Sequence, residues 1–121
     1  MSKEITAEQA QAFADDWIAS WNAHDLARIL AHYTADFSMT SPFIAQIAGE
    51  LSGTLHGHEA VGAYWAKALE RTPDLRFELI GVYRSMNSVV IHYRNQTGRV
   101  GAESFLFSRD GLVHVAIAHY V

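Results

Sequence analysis

The chain has no cysteine. That absence excludes disulfides, thiolate metal sites and a cysteine nucleophile together. Proline is scarce: Pro42 and Pro73 are the only two. No apolar run approaches the roughly 20 residues of a membrane span. No basic stripe runs along the chain, and the net charge is -4, so nucleic acid is not an expected partner. The opening MSKEITAEQAQ lacks the apolar core of a secretory signal, which leads us to expect a cytoplasmic protein. Internal repeats, low-complexity tracts and linkers are absent as well. What is present is globular material. Of 121 residues 50% are apolar and 18% charged, with three Trp, five Tyr and six Phe. This suits a single domain, residues 1–121, around one core.

Periodicity divides the chain in two. Thr6 to Gln9 reads as a capping box. Ala10, Phe13, Ala14, Trp17, Ile18 and Trp21 follow at helical spacing. Asn22-Ala23-His24 breaks this helix. Asp25 caps a second, short one carrying Leu26, Ile29, Leu30 and Tyr33. A strand is expected from about Phe37, ending before Pro42. The stretch Phe43 to His56 has weak periodicity and is long for a connection, as functional lids often are. Val61, Tyr64, Trp65, Ala68 and Leu69 mark a third helix, ended by Thr72-Pro73. From Asp74 onward the period becomes two. Gly81 suggests a bulge. Strands are expected over 88–96, 99–108 and 112–120, joined by tight turns at Thr97-Gly98 and Asp110-Gly111. Helices first and a meander afterwards imply α+β, with helices on one face of a curved, mostly antiparallel sheet.

Tight turns fix register. Two-residue loops at both positions set His92 opposite Glu103, Arg94 opposite Gly101, Glu103 opposite Ala118, Phe105 opposite Ala116 and Phe107 opposite His114. One face then carries Val90, His92, Arg94, Glu103, Phe105, Phe107, His114, Ala116, Ala118 and Tyr120. The other carries Val89, Ile91, Tyr93, Ser104, Leu106, Val113, Val115, Ile117 and His119. The first, apolar with a few polar groups, has the character of a ligand site. The second is nearly all aliphatic and suits contact with a second copy of the chain.

The stretches YTADFSMTSP (33–42), SGTLHGHEAVGAYWAKAL (52–69), VVIHYRN (89–95) and FSRDGLVHVAIAHY (107–120) resemble the SnoaL-like branch of the nuclear transport factor 2-like superfamily. The resemblance covers nearly the whole chain. It implies a cone-shaped pocket between sheet and helices, and dimerisation through the outer sheet face. The layout is also similar to that of ketosteroid isomerases. By that resemblance the proton-abstracting Asp, just before the Pro that ends the first strand, is replaced by Ser41. The first-helix Tyr corresponds to Trp17, which can donate but not accept. The protonated Asp of the third meander strand corresponds to Glu103.

The candidate catalytic residues are therefore Glu103, His92 and Arg94. Glu103 and His92 would transfer protons, and Arg94 would stabilise developing negative charge. Their bland alternative is a buried ion-pair cluster. Trp17, Trp21, Tyr33, Phe37, Ser41, Phe105, His114, Ala118 and Tyr120 are candidates for lining a substrate pocket, and Trp65 for core or pocket wall. His56-Gly57-His58-Glu59 matches no zinc spacing, and Gly57-His58-Glu59 reads as the start of the third helix. His114 and His119 lie on opposite faces of a strand and cannot share an ion. No GxGxxG, P-loop or GxSxG motif occurs. The expectation is a small-molecule pocket protein without metal or cofactor. It is either an acid–base enzyme of isomerase, cyclase or hydrolase type, or a non-catalytic carrier or dimeric assembly module.

Overall fold

The computed structural model describes residues 4–121. Helix α1 spans Ala7–Asn22 and starts in the expected capping box, where Thr6 Oγ1 accepts from the Gln9 backbone and the Gln9 side chain accepts from the Thr6 backbone. Its stripe of Ala10, Ala14, Trp17 and Trp21 is buried. Asp25 caps α2, Leu26–Leu30, through the backbone N–H of Arg28. Tyr33 belongs to β1, Tyr33–Thr40, and not to α2; the strand begins earlier than its apolar pattern suggests. The segment 41–56 is partly structured. It holds a π-helical turn, Ile44–Ala48, and a short β2, Thr54–His56, paired antiparallel with β1. Helix α3 spans Gly57–Arg71.

The meander follows as β3 (Glu78–Arg84), β4 (Ser88–Arg94), β5 (Val100–Phe107) and β6 (Val113–Tyr120). The sheet order is β2-β1-β6-β5-β4-β3. Every pairing is antiparallel except β1 with β6. The register shift next to Gly81 bears out the bulge read from the sequence. The helices bury their apolar stripes on one sheet face, where Trp17, Phe37, Ile91, Phe105 and Ala116 meet.

Both hairpin loops are one residue longer than two-residue turns. In the first, the Asn95 backbone N–H donates to the Arg99 carbonyl at 2.9 Å, enclosing Gln96, Thr97 and Gly98. The Asn95 side chain accepts from the backbone of Thr97 and Arg99. Gly98 has φ +88°. This is the three-residue hairpin loop whose last residue is left-handed, and glycine takes that conformation without strain. The second loop, Arg109-Asp110-Gly111, is closed by Ser108 and Leu112 and also ends in a left-handed glycine.

The extra residue has opposite consequences at the two turns. In β4–β5 it moves the register by one, so Ile91, not His92, faces Glu103, and Arg94 faces Val100. A one-residue slip turns every side chain to the other face. Val89, Ile91 and Tyr93 point into the core, while Val90, His92 and Arg94 lie outside. In β5–β6 a bulge between Leu106 and Phe107 absorbs the slip. Beyond it Glu103 faces Ala118 and Phe105 faces Ala116, as expected. Phe107 faces Val113, and His114 falls at the irregularity, exposed. The outer face is therefore not nearly all aliphatic, since His92 and Arg94 join Val90, Leu106, Val115 and Ile117 there.

Candidate functional site

Between the helices and the concave sheet lies a cavity of about 280 Å³. At about 30 Å³ per water, that is room for roughly nine waters or a small organic molecule. Trp17 and Trp21 come from α1, and Met39 and Ser41 from β1 and the residue beyond it. Phe43 and Ile47 come from the π-helical segment. Tyr64, Trp65, Ala68 and Arg71 come from α3, and Tyr93, Glu103 and Tyr120 from the meander. Phe77, Asn95 and Gln96 complete one end. A larger, open groove of about 940 Å³ lies across Ile5, Phe13, Met86 and Arg109. Among the described residues it contains no buried titratable side chain, whereas the smaller cavity contains Glu103.

Glu103 is the centre of that cavity. It is 4% exposed, and no hydrogen bond or ion pair reaches its carboxyl among the described residues. Burial favours the neutral form of an acid. Here it lifts Glu103 from an ordinary 4.5 to about 8, with desolvation as the cause. Arg94 does not neutralise it, because Arg94 is exposed and donates to Glu78 at 3.1 Å. His92 is on the outer face beside Tyr83. The structure thus separates the expected His92–Arg94–Glu103 triplet and leaves Glu103 alone.

Four tyrosines feel the Glu103 charge. Burial, and then that charge, hold the Tyr33 hydroxyl well above its usual value. Burial is also the main cause at Tyr64, pushed up to about 12, and raises Tyr93 and Tyr120. The Ser41 hydroxyl partly offsets the rise at Tyr64 and Tyr120. All four phenols therefore stay protonated near neutral pH. Tyr120 reaches the wall because it crosses Gly101, where an added Cβ would lie 3.1 Å from its ring.

The other candidates sort by depth. Trp17, Trp21, Ser41 and Tyr120 line the cavity as expected. Tyr33, Phe37, Phe105 and Ala118 are buried in the core behind it. His114 is exposed and does not line it. The Trp17 indole N–H donates to the Tyr33 hydroxyl at 3.0 Å, so that donor is already engaged. Ser41 is 2% exposed, and its Oγ accepts from the Phe43 backbone N–H. Tyr64, Tyr93 and Arg71 were absent from the pocket read in the sequence. Tyr64, Ala68 and Arg71 share one helical face, a signal that was available. Tyr93 was hidden by the register slip. Among the described residues no group of three His, Asp or Glu could hold a metal ion.

The comparisons agree with this architecture. The family model of the SnoaL-like domain matches residues 14–118. The chain belongs to the SnoaL-like family. A SnoaL-like protein of unknown function from Burkholderia thailandensis is 52% identical, over 98% of this chain and 99% of that one, with a TM-score of 0.95. A structure from Agrobacterium tumefaciens, described as a candidate isomerase of the SnoaL-like family, is 17% identical over 94% of this chain and 98% of that one, TM-score 0.76. A protein of unknown function with a cystatin-like fold from Methylobium petroleophilum is also 17% identical, over 98% of this chain and 79% of that one, TM-score 0.75. At such identities the last two likenesses concern fold alone. No curated protein matches the chain. No helix of the described residues is long and apolar enough to cross a membrane.

Proposed function

We propose that this SnoaL-like protein binds a small, mainly apolar molecule carrying one oxygen function, and that neutral Glu103 donates a proton or hydrogen bond to that oxygen. The observation that carries the reading is an unpaired, buried carboxyl lining a cavity walled by aromatic rings. Leaving such a group without a partner is costly. A ligand oxygen relieves that cost. A carboxyl titrating near 8 also exchanges protons readily near neutral pH, the condition under which general acid–base catalysis is most efficient. Once Glu103 has protonated a carbonyl oxygen, the carboxylate left behind can take the adjacent C–H proton, which gives the enol and restores the neutral acid.

The second reading is a carrier without turnover. Ser41 favours it, because the position before Pro42 offers no carboxylate and Glu103 is the only acid lining the cavity among the described residues. Proton exchange separates the two. A small cyclic ketone such as 4-methylcyclohexanone is incubated with the protein in deuterated buffer, and α-deuterium incorporation is followed by NMR. Catalysed exchange that Glu103→Leu abolishes supports the enzyme. Binding without catalysed exchange supports the carrier. Equal affinity of wild type, Glu103→Gln and Glu103→Leu would remove Glu103 from both.

We also propose that two copies associate through the outer sheet face. Val90, Leu106, Val115 and Ile117 supply apolar area there, and His92 and Arg94 supply polar contacts.

A further inference from the structure

The cavity is not uniform along its length. Its interior is aromatic around a neutral acid, whereas its rim is cationic. Arg71, on the last turn of α3, lines the rim and makes no ion pair among the described residues. Gln96 lines the same opening. Its side-chain oxygen accepts from the Arg76 backbone N–H at 3.3 Å, which leaves its NH₂ free to donate. A second cation stands close by. The Arg99 guanidinium lies 5.2 Å from the ring centres of both Phe43 and Tyr120, two wall residues. Its charge is felt at the Tyr120 hydroxyl, which it lowers. Arg71 is thus a lining cation unpaired among the described residues, with Arg99 stacked on two wall residues, in a chain of net charge -4. Cations beside low-dielectric walls focus a positive potential into a cleft.

From this arrangement we infer that the ligand is a small amphipathic acid, its apolar body inside the cavity and its carboxylate at the rim on Arg71 and Gln96. A planar guanidinium suits a carboxylate through paired N–H donors. The inference rests on the proposed pocket and narrows its ligand class. The polarity of the ligand would run from carboxylate at the rim to oxygen function at Glu103. An uncharged Glu103 is essential to this, because an ionised one would repel an anion in the same cavity.

Arg71 also sits where a cation favours the helix dipole, so stability alone cannot reveal its role. The test compares 3-phenylpropionate with 3-phenylpropionamide, matched in shape and differing in charge. Binding is read by calorimetry at about pH 6.5, above the ordinary carboxylate range and below the Glu103 midpoint of about 8. Wild type should bind the carboxylate about tenfold tighter than the amide. Arg71→Gln should erase that preference by weakening the carboxylate far more than the amide, and Arg71→Lys should keep part of it. Equal wild-type affinity for the two, or a preference that survives Arg71→Gln, overturns the anionic class and leaves the pocket standing. Binding of neither probe overturns the pocket and this inference together.

Discussion

At the scale of single residues, Glu103 dominates. Its folded-state midpoint of about 8 lies above the ordinary 4.5, so the folded protein holds this proton where the unfolded chain releases it. Stability from this group is full below pH 4.5, declines between 4.5 and 8, and is lowest above 8. Glu103→Gln has no proton to lose. Its stability relative to wild type should rise by on the order of 2–4 kcal/mol between about pH 5 and pH 9. Urea unfolding across that range reads the difference, and a constant difference would mean that Glu103 is not desolvated. Tyr33 gives a second test. Its hydroxyl accepts the Trp17 N–H in the core. Tyr33→Phe leaves that donor unsatisfied and should cost about 1–3 kcal/mol in the same measurement. Trp21 lies close by, and its own indole N–H is buried without a partner among the described residues.

At the scale of elements, the hairpin loops decide which side chains meet. The helices were legible because capping chemistry and 3.6-residue periodicity are local signals: Thr6, Asp25 and the α1 stripe behave as their sequence says. The strands were legible as strands. Their faces were not, because face depends on loop length, and an extra residue flanking Thr97-Gly98 is invisible to alternation. Asn95, holding the backbone of Thr97 and Arg99, was the available clue. The β5–β6 hairpin placed Glu103 correctly only because a bulge near His114 cancelled the same error. The segment 41–56 hid β2 and the π-helical turn for a different reason: both are fixed by pairing and packing, not by pattern. Gly98→Ala tests the loop geometry. Its φ of +88° should make the substitution cost about 1–2 kcal/mol. A neutral result in thermal or urea unfolding would mean that the loop has another conformation.

At the scale of the whole molecule, one curved sheet serves two purposes. Its concave face and three helices bury a carboxyl beside a cavity, and we propose that its outer face meets a second copy. Sedimentation should give twice the chain mass at micromolar concentration. A Val90→Glu, Ile117→Glu variant, altered only on the outer face, should sediment as a monomer with its ligand affinity intact. Monomeric wild type would show that the outer face meets only solvent. The proposed function depends most directly on the protonation state of one group. Carbon-13 NMR titration of the Glu103 side-chain carboxyl in the folded protein measures it. A midpoint near 8 is the predicted result, and a midpoint near 4.5 would contradict the neutral, buried acid on which the proposed function depends.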